Sequence, residues 1–112
     1  VSKERVLNMS NITEKPTSAY AEENLGVSST AIKGQKSYYC AFGSYILTPD
    51  IFRQLKENID NNVVNAKGEV ELTTALEQVR QQVGLLGVRL DGKMFDIGVP
   101  NEYRTTMYNY SL

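Results

Sequence analysis

The apolar and polar positions along the chain mark out strands near both ends and two amphipathic helices between them. Residues 5–13, RVLNMSNIT, are β-branched and apolar enough for a strand, and Pro16 closes it. Residues 17–37 carry Ser, Thr, Gly, Glu and Lys with little periodicity. They predict a long loop, partly mobile, with room for a short helical turn in SAYAEENLGV. Residues 38–47, YYCAFGSYIL, are apolar or aromatic on both alternating faces, which predicts a strand buried on both sides in an α/β sheet. Gly43 interrupts it, and a glycine inside a strand often marks a close approach to the backbone.

The next stretch, TPDIFRQLKENI, predicts a helix. Thr48 suits the N-cap, Pro49 the first helical position and Asp50 the positive helix start. Its apolar stripe is Ile51, Phe52, Leu55 and Ile59. A second helix lies in GEVELTTALEQVRQQVG, with Leu72, Ala75, Leu76, Val79 and Val83 on one face and Gly84 as the stop. Residues 85–90 and 93–98 read as two short strands joined by Asp91-Gly92 in a hairpin. A last helix starts at Pro100, with Tyr103, Met107 and Tyr110 on one face. Strands and helices in this order make a mixed α/β protein, and the 112 residues fit a single domain.

Charge narrows the functional classes. With 12 basic and 13 acidic residues and no basic block, the chain lacks the footprint of a nucleic-acid binder. No apolar run is long enough for a membrane span, and no secretory signal is evident. Cys40, the single cysteine, sits in an apolar run and reads as a small core residue in a reducing compartment. The absence of histidine excludes His-based triads and zinc sites that use His within these residues. No Gly-rich phosphate loop of the GxGxxG or GxxxxGK type occurs in them.

Four segments occur in an informative order: EKP at 14–16, FGSYILTPDIF at 42–52, GEVELTTAL at 68–76 and GKMFDIGVPNEY at 92–103. Together they resemble the sugar-1-phosphate nucleotidyltransferases, with the nearest likeness to bacterial UTP–glucose-1-phosphate uridylyltransferases and their relatives. The likeness covers nearly the whole chain and is weakest in the 17–37 stretch. It is to the second half of that family, since the G-G-x-G-T-R-L type of loop that grips the triphosphate is not among these residues. The resemblance therefore implies that residues 1–112 form the sugar-phosphate-binding part of a Rossmann-like nucleotide-diphospho-sugar transferase fold, a mixed sheet flanked by helices. It implies nucleotidyl transfer to a sugar 1-phosphate with Mg²⁺ in the cytoplasm, and a chain inactive without the nucleotide-binding half. A half-domain also leaves a sheet edge uncovered, an invitation to homo-oligomerisation. The competing expectation is a non-catalytic sugar-phosphate-binding, regulatory or assembly module.

The same resemblance implies roles for individual residues. Lys15 would set a compact ammonium against the sugar phosphate. Glu14 would accept hydrogen bonds from sugar hydroxyls. Asp96, in FDIG, would bind Mg²⁺ through a hard carboxylate oxygen. Gly43 would let the backbone approach the sugar, and Tyr45 would line the same wall. Glu69, and less directly Glu71, fall where the family has an acidic residue at the sugar; helix-start electrostatics accounts for them almost as well. Against these, Glu14-Lys15 also reads as an exposed surface pair, Asp96 as a cap for the helix at Pro100, and Tyr45 as core packing. One departure stands out: the family commonly has Thr-Asp where this chain has Thr73-Thr74.

Overall fold

A computed structural model describes residues 5–28, 36–41, 43–92, 95 and 97–110. The element order is β1 (Val6–Asn8), α1 (Ser18–Asn24), β2 (Val27–Ser28), β3 (Lys36–Ser37), α2 (Asp50–Asp60), α3 (Leu72–Val83), β4 (Leu86–Val88) and α4 (Pro100–Tyr110). The mixed α/β content is as expected. The sheet differs: among the described residues it is two separate antiparallel pairs, β1 with β4 and β2 with β3.

α2 and α3 build the core. Ile51, Ala75, Leu76 and Val79 are buried, and Ile12, Leu47, Leu55 and Leu85 pack around them. The face α2 turns inward holds only half of the predicted stripe, Ile51 and Leu55. Phe52 is 70% exposed and Ile59 63%, while Ile51, Gln54 and Asn58 are buried. The cause is a ladder of amides between the two helices. Asn58 Nδ2 donates to Gln78 Oε1 at 2.7 Å, and Gln82 Nε2 donates to Gln54 Oε1 at 2.7 Å. Gln54 Nε2 in turn donates to Asn58 Oδ1 at 3.2 Å. Residue 54 meeting 82 and 58 meeting 78 makes the helices antiparallel. Buried amides need partners, and here each finds one across the interface. An apolar-stripe argument misses this because it has no place for a buried Asn or Gln.

Helix boundaries follow the capping residues closely. α3 stops at Gly84, whose φ of 86° and ψ of 163° lie in a region open almost only to glycine. α2 begins one residue later than predicted, with Pro49 as the flanking residue. The Thr48 hydroxyl makes no cap hydrogen bond to the backbone; it donates to Asp50 Oδ2 at 2.8 Å. That hydrogen bond and the neighbouring Arg53 guanidinium hold the Asp50 carboxyl below its usual range. The predicted loop 17–37 contains α1, capped by Thr17, and β2.

β4 pairs with β1, in the register Val6↔Val88, Leu7↔Gly87, Asn8↔Leu86; half of the second strand of the predicted hairpin, 93–98, lies outside the described residues. Arg89 N donates to Arg5 O at 2.8 Å and Met9 N to Leu85 O at 3.0 Å, extending the ladder at both ends. An Arg5–Asp91 ion pair flanks it. The strand predicted for 38–47 does not form over its described residues. A strand apolar on both faces needs cover on both; here Tyr38, Tyr39, Tyr45 and Ile46 are exposed, and among the described residues of the run only Leu47 reaches the core. Cys40, expected inside, is exposed for the same reason. α4 starts at Pro100 as predicted but buries no residue; Phe95 meets its Tyr110 edge to face at 5.7 Å.

Candidate functional site

The segment after β1 crosses the first turns of α3, and an open groove of about 320 Å³ lies between them. Two hydrogen bonds fasten the segment to the helix. Glu77 Oε2 accepts from the backbone N–H of Ile12 at 3.2 Å, and Thr73 Oγ1 donates to Glu14 Oε2 at 2.7 Å. Glu77 is itself clamped. Arg80 approaches it with Nε on Oε2 and Nη2 on Oε1, both at 2.7 Å, and Gln81 Nε2 donates to Oε1 at 2.8 Å. The Arg80 hydrogen bond foremost, then those from Gln81 and Ile12, pull the Glu77 carboxyl from 4.5 down to about 2 against the opposing effect of burial. Glu77 is thus a fixed anion that holds a backbone N–H in place.

Glu14 lines the groove, with one carboxylate oxygen anchored by Thr73. Lys15 does not line it. Its side chain is 89% exposed, with Nζ 3.7 Å from Glu14 Oε1. The backbone at Lys15 has φ of 40°, in the left-handed region that costs a residue with a Cβ about 1–2 kcal/mol. Pro16 follows directly and disfavours the ordinary helical conformation at Lys15. The turn therefore sends adjacent residues in different directions, Glu14 inward and Lys15 into solvent.

Of the two acidic residues at the α3 start, Glu71 lines the groove and Glu69 does not. Glu69 closes a tight loop in which Asn65 Oδ1 accepts from the N–H groups of Lys67 and Glu69 at 2.8 and 3.1 Å. Gly68 supplies the positive φ of 80° that the loop needs. Glu71 Oε1 accepts from Asn65 Nδ2 at 2.7 Å. Tyr20 of α1 and Asn11 complete the polar lining, with Asn11 Nδ2 donating to the Tyr20 hydroxyl at 3.1 Å.

The other residues singled out from the sequence fall elsewhere. Gly43 has open space where a Cβ would stand, and Tyr45 is exposed; neither lines the groove. Asp96 lies outside the described residues. Among the described residues no three acidic, His or Cys side chains converge as a metal-holding group. Sequence reasoning missed Asn11, Tyr20 and Glu77 as groove residues, and took Thr73 and Thr74 only as a departure from the family. The Glu77–Arg80 spacing was visible in the sequence as an i,i+3 pair. The Thr73–Glu14 bond joins residues 59 apart and left no local signal.

Comparison with known proteins gives the groove a context. No family model matches the chain, and no solved structure matches it significantly. The UTP–glucose-1-phosphate uridylyltransferase of Bacillus subtilis is 27% identical over 111 residues, 99% of this chain and 32% of that protein. A uridylyltransferase of the same name from Pseudomonas aeruginosa is 30% identical over 98 residues, 88% of this chain and 29% of that protein. A putative one from Bacillus subtilis is 34% identical over 73 residues, 65% of this chain and 25% of that protein. The chain thus spans only a quarter to a third of the length of these curated relatives. Over nearly all of its own length, this chain is similar to one part of the bacterial UTP–glucose-1-phosphate uridylyltransferases.

Proposed function

We propose that this chain is the sugar-phosphate-binding part of a nucleotidyltransferase that moves a uridylyl group from UTP to glucose 1-phosphate and releases pyrophosphate. The observation that carries the reading is the division of labour at residues 14 and 15. Glu14 presents an anchored carboxylate to a polar groove, while Lys15 holds a solvent-exposed ammonium beside it. A sugar 1-phosphate has these two needs: acceptors for ring hydroxyls and a cation for the phosphate. The names of the relatives supply the rest of the reading.

In this chemistry a phosphate oxygen of the sugar attacks the α-phosphorus, and pyrophosphate leaves. The attacking oxygen is already ionised near neutral pH, so no general base is required and the lack of histidine is no obstacle. The difficulty is gathering several anions in one place, which positioning and positive charge overcome. Lys15 offsets the phosphate charge, Glu14 orients the ring, and Thr73 fixes Glu14. Asp96 would offer one oxygen ligand to Mg²⁺, which would supply positive charge to offset the phosphates. The loop that grips the triphosphate belongs to residues other than these 112.

Titration calorimetry with glucose 1-phosphate tests the reading on this chain. Lys15→Ala is expected to weaken binding about tenfold or more, equivalent to about 1.4 kcal/mol, with Lys15→Arg restoring part of it. Undiminished binding by Lys15→Ala overturns the assignment. The second reading is a sugar-phosphate-binding module without catalysis. Pyrophosphate release from UTP and glucose 1-phosphate by the native polypeptide separates the two; binding without release identifies the module.

A further inference from the structure

The groove holds more hydrogen-bonding groups than Glu14 supplies. Tyr20 and Glu71 both line it, and neither belongs to the pair at 14–15. The Tyr20 hydroxyl accepts from Asn11, and its own hydrogen has no acceptor among the described residues. Asn11 thereby orients the phenol and leaves a donor to spare. Glu71 is half-buried; one oxygen accepts from Asn65 at 2.7 Å and the other from Thr74 at a long 3.4 Å. An ionised carboxylate has about four acceptor positions, so Glu71 keeps capacity for a further donor.

Charge decides what enters. Glu14, Glu71 and Glu77 line the groove, and among the described residues no Lys or Arg does. Arg80 neutralises Glu77 through two hydrogen bonds, which leaves Glu14 and Glu71 as net negative acceptors. Such a lining repels a phosphate and accepts the hydroxyl donors of a neutral ring, so the phosphate stays with Lys15 outside. The volume, about 320 Å³, is at the small end of ligand sites and suits a monosaccharide ring. α1, which carries Tyr20, also lies in the 17–37 stretch where the likeness to the family is weakest.

Resting on the function proposed above, we propose that Tyr20 and Glu71 determine which hexose the groove accepts. Glu71 accepts a hydrogen bond from one ring hydroxyl, and Tyr20 donates to another. Removing either group removes part of the discrimination between epimers, because a site built to bond a hydroxyl rejects a ring that places it elsewhere.

The test titrates the chain and its Tyr20→Phe and Glu71→Gln variants with glucose 1-phosphate, galactose 1-phosphate and inorganic phosphate. Tyr20→Phe removes one oxygen from an exposed ring, and Glu71→Gln keeps an acceptor for Asn65; circular dichroism confirms that both remain folded. The wild-type chain is expected to prefer one epimer. Each variant is expected to lose about tenfold in affinity for that epimer and to narrow the preference, with inorganic phosphate bound as before. Variants that bind the preferred epimer within twofold of wild type and keep its preference overturn the proposal and leave the proposed function standing. So does a wild-type chain that binds both epimers alike. A wild-type chain that binds neither sugar phosphate overturns the proposed function, and this proposal with it.

Discussion

At Glu77 one side chain sets both stability and site geometry. Its carboxyl is held near 2 in the folded chain, chiefly by Arg80, against 4.5 ordinarily. The folded state therefore binds this proton less tightly than the unfolded state. The stabilisation is complete above about pH 4.5 and is lost as pH falls through about 2. With the Glu77 side chain still 24% exposed, water screens the interaction, and about 1–2 kcal/mol is a reasonable size. Urea unfolding of Glu77→Gln is expected to show a lower midpoint at pH 6 and a flatter stability profile between pH 4.5 and 2. The same variant loosens the Ile12 tether, so glucose 1-phosphate affinity is expected to fall as well. Lys15 illustrates the opposite economy. Its left-handed backbone is strained in isolation and is kept by the turn that separates it from Glu14.

At the scale of elements, α2 and α3 show what patterning can and cannot reveal. Both helices were legible from their stripes and end signals, and α3 ends at the glycine that marks its stop. Which face of α2 turns inward was not legible. Ile51 and Leu55 of the predicted stripe face the core, but Phe52 and Ile59 turn outward and Gln54 and Asn58 take the buried positions instead. The choice depends on Gln78 and Gln82 of α3, which supply the matching partners. Asn58→Ala is expected to cost about 1–3 kcal/mol, because it strands the Gln78 amide and removes one of the hydrogen bonds of Gln54 in a part-buried interface. Thermal unfolding followed at 222 nm checks it. A double change of Asn58 and Gln78 to Leu should cost less than the single one, since no polar group is then stranded. The strands were less legible than the helices. The apolar run at 38–47 specifies a buried strand only where another backbone lies beside it, and β1 found its partner in β4, some 80 positions away.

For the whole molecule, the radius of gyration is 16.5 Å, against about 13 Å for a compact chain of this size. Among the described residues four apolar side chains form the buried core, while Ile46, Phe52, Ile59, Leu90 and Ile97 lie exposed. Stability therefore rests on few residues. Leu76→Ala is expected to cost about 2–5 kcal/mol and, with so small a core, to unfold most of the chain at 37 °C. Loss of the far-ultraviolet helical signal is the readout, and a Tm within a few degrees of wild type would show that the core lies elsewhere. Because Leu76 sits on the helix that carries Thr73 and Glu77, the groove is expected to fail with it.

The order of four short segments by itself determined the family likeness, and local signals determined the helices: a cap, a stripe and a glycine act within a few residues of one another. The groove was decided only in three dimensions. Thr73 reaches Glu14 and Glu77 reaches Ile12 across 59 and 65 residues, and hydrogen bonds of that span depend on how α3 packs under the segment after β1. Nothing in the identity of a threonine or a glutamate indicates which distant backbone it will meet.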